Sequence, residues 1–316
     1  HSFRRVLFRS GQGSQYVGQT AKISDLSYYI EANNILKIPL LDYCQNGSVE
    51  KLTQTQITQS AIITHAWSLF QIWIAPYQKH FDIALTLGHS VGEYGALLIA
   101  GCFDFETALK MVYYRGLCMQ EASPIGVSGM SAVLNMSISD LESLCQSLVS
   151  DSEFVGPANF NTHEQIVVAG HLQTLEKLNI KIKENFSRAR VIPLKVAAAF
   201  HSPLMMPAQN KMKPFIQDQT IKENNISYIA NIDAQVYAPK TSSDILKNNL
   251  TSQITSCVKW VQSIENLPKD IDLVLEIGPG KTLKGLISKI NPHIKVLSLD
   301  QETDLEEWKG ILKNYV

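Results

Sequence analysis

The sequence predicts an α/β protein in which a smaller unit interrupts a larger α/β domain. Apolar, strand-like segments alternate with helical segments along most of the chain, as in a sheet covered by helices. Between residues 126 and 194 the predicted order becomes β-α-β-β-α-β, which is the order of a ferredoxin-like unit. We therefore expect residues 1–125 and 195–316 to form the large domain and residues 126–194 an inserted small subdomain.

Composition excludes several other classes of protein. The 316 residues are 45% hydrophobic and 18% charged, with a formal net charge of −1, so no bulk charge favours nucleic acid or an anionic membrane. The five cysteines are scattered and odd in number, which argues against a disulfide framework or a zinc site and favours a reduced, cytoplasmic chain. The first ten residues lack the apolar core of a secretory signal, and a first residue of His1 instead of Met indicates a truncated or artificial start.

The elements of the large domain follow in order. A strand at Val6–Phe8 leads into Gly-Gln-Gly-Ser-Gln, helical patterning extends to about residue 79, and an apolar strand lies within residues 81–90. A helix begins at Gly92 and ends at Gly101, and a second helix has Asp104 as its N-cap. Later strands are expected within residues 226–232 and 271–280, with helices between and after them.

The small subdomain is predicted from shorter segments. Ser139 and Glu142 have the spacing of a capping box for its first helix. Two strands meet at a turn at Thr162-His163, and residues 188–196 form the closing strand.

Ser90 lies in the sequence Gly88-His89-Ser90-Val91-Gly92, between a predicted strand and a predicted helix. This pattern is typical of a nucleophile elbow, in which flanking glycines permit a sharp turn and expose the serine. The N-terminus of the following helix would offer the Val91 N–H to a developing oxyanion. We interpret Ser90 as a nucleophile, which requires a histidine base.

His201 is the best candidate for that base. It follows Leu194–Phe200, which we predict to be a strand of small apolar residues, and it opens a turn. The alternative is an ordinary histidine of a surface turn. The neighbouring His89 is expected to be a packed residue, because adjacent side chains at an elbow diverge. The remaining histidines show no sign of a partner: His1, His65, His80, His163, His171 and His293.

A hydrolase triad would place an acid between Ser90 and His201. Asp104, Asp140 and Asp151 lie in that interval, but none follows a predicted strand. Either a backbone carbonyl orients His201, or the arrangement is not that of a hydrolase.

Five ordered motifs resemble those of malonyl-CoA:acyl-carrier-protein transacylases. They are "GQGSQ", "GHSVGEY", "YYRGLCMQEA", "AFHSPLM" and "EIGPGKTL", and the resemblance extends from Gly11 to about Leu299. The family includes discrete acyltransferases of fatty acid synthesis and those serving polyketide synthases without a built-in acyltransferase. The resemblance implies an α/β-hydrolase-like domain with a ferredoxin-like insertion.

The same resemblance implies roles for individual residues. Ser90 would carry the acyl group, and His201 would be the general base and acid. The backbone N–H groups of Gln12 and Val91 would form the oxyanion hole. The backbone carbonyl of Gln253 would orient His201, which would explain the missing acid.

Arg115 and Phe200 bear on substrate choice. An arginine on a helix is usually a surface group, but in this family the guanidinium at the position of Arg115 binds the malonyl carboxylate. Phe200 and Val91 resemble the residues found with malonyl rather than bulkier acyl units. The implied reaction is a ping-pong transfer of malonyl from malonyl-CoA to the phosphopantetheine thiol of an acyl carrier protein, by a monomer without a bound cofactor or metal.

One departure from the family pattern and two alternative functions remain. Arg9-Ser10 replaces the Phe-Pro that the family usually has before "GQGSQ", which affects the turn that would aim the Gln12 amide. The chain could instead be an acyl hydrolase that clears carrier proteins, although such relatives tend to lack the arginine. It could also be a docking protein for carrier domains without turnover.

Overall fold

A computed structural model of the chain describes residues 4–9, 11–124 and 126–315. His1 and Ser10, on which two of the expectations above depend, lie outside these ranges.

Ten strands occur in the described residues. They are β1 (Arg4–Arg9), β2 (Asp82–Gly88), β3 (Ser128–Leu134), β4 (Val155–Thr162), β5 (Gln165–His171), β6 (Arg190–Pro193), β7 (Ser227–Ile229), β8 (Val236–Tyr237), β9 (Leu273–Ile277) and β10 (Val296–Ser298).

Thirteen α-helices connect these strands within the same ranges. They are α1 (Ser27–Leu36), α2 (Leu40–Gln45), α3 (Val49–Leu52), α4 (Thr55–Trp73), α5 (Gly92–Ile99), α6 (Phe105–Glu121), α7 (Ile138–Leu148), α8 (Leu172–Asn185), α9 (Met206–Asp218), α10 (Ser243–Gln253), α11 (Trp260–Glu265), α12 (Thr282–Ile290) and α13 (Glu302–Leu312). Short 3-10 helices occupy Gln19–Lys22, Ala75–His80, Pro203–Met205 and Lys313–Tyr315.

The large sheet has six strands in the order β10-β9-β1-β2-β7-β8. All neighbouring pairs are parallel except β7 and β8. Alternate residues of a strand point to opposite faces, so Leu7 and Leu275 belong to a core with α4, α5 and α6, whereas Val6 and Val274 belong to a core with α11 and α12. Helices therefore cover both faces, and the carboxyl ends of β1 and β2 lie side by side.

The small sheet has four antiparallel strands in the order β4-β5-β3-β6. The chain order β3-α7-β4-β5-α8-β6 is the predicted β-α-β-β-α-β order. Leu141 of α7 and Leu178 of α8 pack against Val133 and Val168 in a separate core. The α/β class with a ferredoxin-like subdomain, predicted from the sequence, is therefore observed.

Two local predictions were wrong. The first subdomain helix begins at Ile138 with Ser137 as its N-cap, whose Oγ accepts from the Asp140 N–H at 3.1 Å, so Ser139 and Glu142 are not a capping box. The predicted strand at Leu194–Phe200 is absent: β6 ends at Pro193, the Leu194 N–H still donates to the Met130 carbonyl of β3 at 2.9 Å, and residues 194–200 form no further strand.

Other features of the described residues concern membrane spans, metal ligands and cysteines. No helix in these ranges combines the length and apolar character needed to cross a membrane. No cluster of metal-ligating side chains is found in the same part of the chain. All five cysteines are unpaired, and only Cys257 is not fully buried.

Candidate active site

Ser90 follows β2 directly and precedes α5, so it stands at the carboxyl edge of the large sheet. Its φ of 55° lies in the left-handed region, which is unfavourable for a residue with a side chain. A Cβ on Gly88 would come within 2.0 Å of the Gly92 carbonyl carbon, so the turn requires glycine at position 88. The glycines predicted to permit the elbow therefore do so by the close approach of residues 88 and 92.

His201 approaches Ser90 from the segment before α9. Its Nε2 lies 2.6 Å from the Ser90 Oγ, and its Nδ1 lies 3.0 Å from the backbone oxygen of Gln253. A carbonyl oxygen only accepts, so Nδ1 carries the proton and Nε2 accepts from the serine hydroxyl. Because no described carboxylate pairs with His201, the carbonyl of Gln253 takes the place of a triad acid in this geometry.

Burial lowers the pKa of His201 to about 3, and the neighbouring Arg115 guanidinium contributes to the shift. His201 is 4% exposed. A neutral imidazole at physiological pH has a free lone pair on Nε2, which is the form a general base needs.

Arg115 comes from α6 and is fully buried. Its Nη2 donates to the Ser90 Oγ at 3.2 Å and to the Gln253 Oε1 at 2.9 Å, and its Nη1 donates to the Gln59 Oε1 at 2.8 Å. No carboxylate of the described residues forms a salt bridge with it, and burial lowers its pKa. The site therefore holds a desolvated cation, beside the serine oxygen, whose protein partners are neutral.

Gln12 follows the carboxyl end of β1, and Val91 follows Ser90 at the start of α5. Within the described residues neither backbone N–H has a hydrogen-bond acceptor. Two free N–H groups at the edge of a parallel sheet can stabilise an oxyanion. The structure does not describe Ser10, so the turn that sets the Gln12 amide stays a prediction.

A cavity of about 240 Å³ lies over Ser90 and His201, between the large and the small sheet. Gln12, His89 and Phe200 line it from the large domain, and Met130 and Val167 line it from the small sheet. Phe200 is buried and touches the cavity directly before His201 in the chain. Arg115 does not line this cavity, but its Nη2 donates to the Ser90 Oγ, which does.

Sequence reasoning did not find the polar residues that hold this arrangement. Asn231 accepts from the Ser90 N–H, and the buried Glu93 carboxylate contacts Asn231 and Gln253. His89 is packed, as expected, with its ring 5.4 Å from that of Trp260, but its bond to the small sheet was not foreseen: its Nε2 lies 2.9 Å from the Asn161 Oδ1. Glu93 lies within the elbow motif and could have been noticed there, whereas no local signal identifies Asn231 or Asn161.

Comparison with known proteins identifies the family of the chain. The profile of the acyl transferase domain family matches residues 8–289. The malonyl CoA-acyl carrier protein transacylase of Staphylococcus aureus (strain COL) is 35% identical over 311 residues, which cover 96% of this chain and 98% of that protein. The chain belongs to the malonyl CoA-acyl carrier protein transacylase family.

Solved structures of this family have the same fold. The transacylase of Coxiella burnetii superimposes with a TM-score of 0.90 at 30% identity and covers 98% of both chains. A malonyl-transacylase in complex with its type II PKS acyl-carrier protein has a TM-score of 0.89 at 28% identity and covers 97% of this chain and 99% of that one. The resemblance stated from the five motifs is therefore confirmed, and the transacylase-family chain is an acyltransferase.

Proposed function

We propose that the chain transfers malonyl from malonyl-CoA to the phosphopantetheine thiol of an acyl carrier protein. One observation carries this proposal. The Ser90 Oγ is within hydrogen-bonding distance of both a neutral base, His201, and a buried cation, Arg115. A nucleophile beside a carboxylate-binding fork suits an acyl group that ends in a carboxylate.

In the first half-reaction, the Ser90 Oγ attacks the thioester carbon while its proton passes to Nε2 of His201. The new oxyanion accepts from the N–H groups of Gln12 and Val91. When the tetrahedral intermediate collapses, the C–S bond breaks and the His201 proton goes to the CoA thiolate. The products are CoA and malonyl esterified to Ser90.

In the second half-reaction, the phosphopantetheine thiol occupies the place that CoA has left. His201 takes the thiol proton, the sulfur attacks the ester carbon, and the same N–H pair holds the oxyanion. The C–O bond to Ser90 then breaks and the proton returns to the Ser90 Oγ. His201 needs no carboxylate for these steps, because the Gln253 carbonyl holds Nδ1–H in one tautomer.

Arg115 selects the acyl group. The malonyl carboxylate is three bonds from the ester oxygen, and Nη2 of Arg115 already contacts that oxygen. A two-pronged contact would fix the carboxylate and leave the carbonyl accessible mainly to a thiol from the cavity. Phe200 supports malonyl over α-substituted units, since it occupies the cavity wall beside the base.

The partner, assembly and location are part of the same proposal. A solved relative is a malonyl-transacylase bound to its acyl-carrier protein, which supports a carrier protein as the acceptor. The chemistry needs only side chains and backbone of the chain, so we propose a monomer without cofactor or metal that has no nucleic-acid or membrane partner. Five free cysteines support a reducing, cytoplasmic location.

Intact-mass spectrometry after mixing with malonyl-, methylmalonyl- or acetyl-CoA tests the proposal. We expect a malonyl adduct on the wild-type chain, little adduct from the other two thioesters, and none on Ser90→Ala. Transfer to a carrier protein then distinguishes the two alternatives. Release of acyl groups to water without transfer would identify a hydrolase, and the absence of any acyl-enzyme would favour a docking protein.

A further inference from the structure

Glu93 is a fully buried carboxylate that the reaction scheme above does not use. It lies in the first turn of α5, three residues after Ser90. Its Oε2 accepts from the Gln253 Nε2 at 2.6 Å and from the Asn231 N–H at 3.2 Å. Its Oε1 is buried and has no hydrogen-bond partner among the residues that the structure describes.

The first contact of Glu93 leads to the nucleophile. The Asn231 side chain spans the elbow, because its Oδ1 accepts from the Ser90 N–H at 2.7 Å and its Nδ2 donates to the Gly88 carbonyl at 2.7 Å. These two bonds close the turn across the strained φ of Ser90. Glu93 fixes the Asn231 backbone that presents this side chain.

The second contact leads to the base and the cation. Gln253 accepts from the His201 Nδ1 with its backbone oxygen and from the Arg115 Nη2 with its side-chain oxygen. Its Nε2 donates to the Ser90 carbonyl at 3.0 Å as well as to Glu93. By accepting from Nε2, Glu93 therefore sets the orientation of the Gln253 carboxamide, so that Oε1 of Gln253 faces Arg115.

We propose that Glu93 is a positioning residue that holds Ser90, His201 and Arg115 in one geometry through Asn231 and Gln253. The inference rests on the proposed function, since it assigns a role toward those three residues. A carboxylate is a costly residue to bury. Burial raises the pKa of Glu93 to about 7. Among the described residues its Oε1 has no hydrogen-bond partner, so the cost of burying the carboxyl is not fully offset. Oε2 accepts both hydrogen bonds, so the single carbonyl oxygen of a glutamine side chain at position 93 can accept the same two.

Single-turnover acylation of Ser90 by malonyl-CoA, followed by intact-mass spectrometry, tests this role in two variants. Glu93→Gln keeps an accepting oxygen at the position of Oε2, and we expect an acylation rate within about threefold of wild type. Glu93→Leu has a similar volume but no acceptor, and we expect a loss of about 100-fold, the effect of misplacing reacting groups by about 1 Å. The preference for malonyl-CoA over acetyl-CoA should also fall, because Arg115 loses its alignment.

Glu276 provides the matched control. It is also fully buried, and its carboxylate accepts from the Leu283 and Lys284 N–H groups in the first turn of α12, at 2.9 and 3.0 Å. Glu276→Leu should lower the melting temperature as Glu93→Leu does. At a temperature where both variants are folded, it should keep the acylation rate and the malonyl preference. Glu93→Asp, which withdraws the carboxylate by one methylene, serves in the same assays if Glu93→Leu does not fold, with an expected loss of acylation rate.

Three results would overturn the inference: a Glu93→Leu or Glu93→Asp rate equal to wild type, equal losses in Glu93→Leu and Glu276→Leu at matched folding, or a Glu93→Gln rate as low as that of Glu93→Leu. Failure of the proposed function itself would look different. In that case the wild-type chain would not be malonylated at Ser90, and no comparison between variants would arise.

Discussion

Replacing Arg115 with alanine removes the cation that lies 3.2 Å from the Ser90 oxygen, while Ser90 and its base His201 are retained. Arg115 is fully buried, so a bound malonyl carboxylate would be left in a poorly solvated site without a partner. Removing one member of a buried ion pair costs about 3–5 kcal/mol. At about 1.4 kcal/mol per factor of ten, kcat/KM for malonyl-CoA should fall by roughly 10²- to 10⁴-fold.

Acetyl-CoA has no carboxylate, so its transfer should not suffer in this way. We expect Arg115→Ala to transfer acetyl better than wild type and to hydrolyse its malonyl ester faster, since the carboxylate is no longer pinned and water gains access. Both rates are measured by following acyl-enzyme formation and decay with intact-mass spectrometry. Arg115→Lys keeps the charge without the two-pronged fork, and its malonyl rate should lie between those of wild type and Arg115→Ala.

A thermal melt of each variant controls for folding, because the loss of Arg115 leaves the Gln59 and Gln253 side-chain oxygens without their donor. A folded Arg115→Ala variant that transfers acetyl no better and hydrolyses malonyl no faster than wild type would contradict this role of Arg115. So would a variant that keeps the wild-type malonyl rate.

Three further predictions concern the same region. His201→Ala should reduce acylation of Ser90 by roughly 10²- to 10⁴-fold in a quenched-flow measurement, the range for loss of a general base, and a smaller loss would assign the base elsewhere. Because the pKa of His201 is lowered to about 3, His201 stays neutral as pH falls from 8 to 5, so kcat/KM for acylation should show no loss from its protonation in that window. Arg115 is one cause of the lowered pKa, so Arg115→Ala should shift the fall of acetyl-CoA kcat/KM at low pH to a higher pH. Gly88→Ala should prevent or strongly destabilise folding, since the new Cβ would lie 2.0 Å from the Gly92 backbone. Gly285→Ala in α12 has open space around its Cβ and should raise the free energy of unfolding in urea by about 0.5–1 kcal/mol, and equal effects of the two variants would contradict the packing argument.

Much of the fold was predictable because it depends on local pattern. The apolar run before Ser90, the glycines around it and the N-cap at Asp104 each specify structure within a few residues, and the strand β2, the elbow and the helix α6 follow from them. The short strands β8 and β10 were not identified, since two or three residues at a sheet edge carry little pattern of their own.

The candidate site divides in the same way. Ser90, His201 and Arg115 were found from motifs, and the structure places them together. Asn231 was not found, because its contact with Ser90 spans 141 residues and an asparagine after a strand has many possible roles. Long-range hydrogen bonds of this kind are a property of the packed molecule, so a single sequence does not reveal them.

The positions of Arg115 and His201 also suggest how a carboxylate on the acyl group would speed the acylation step itself, in addition to strengthening substrate binding. The Ser90 oxygen lies 2.6 Å from His201 Nε2 and 3.2 Å from Arg115 Nη2, so a protonated His201 would face the guanidinium across a single atom. Two like charges about 6 Å apart repel by about 3 kcal/mol at an effective dielectric constant of about 20. A malonyl carboxylate paired with Arg115 cancels most of that repulsion and makes His201 a stronger base while the correct substrate is bound. Acetyl leaves the repulsion in place. The arginine would then discriminate twice, once by holding malonyl and once by permitting His201 to accept the serine proton.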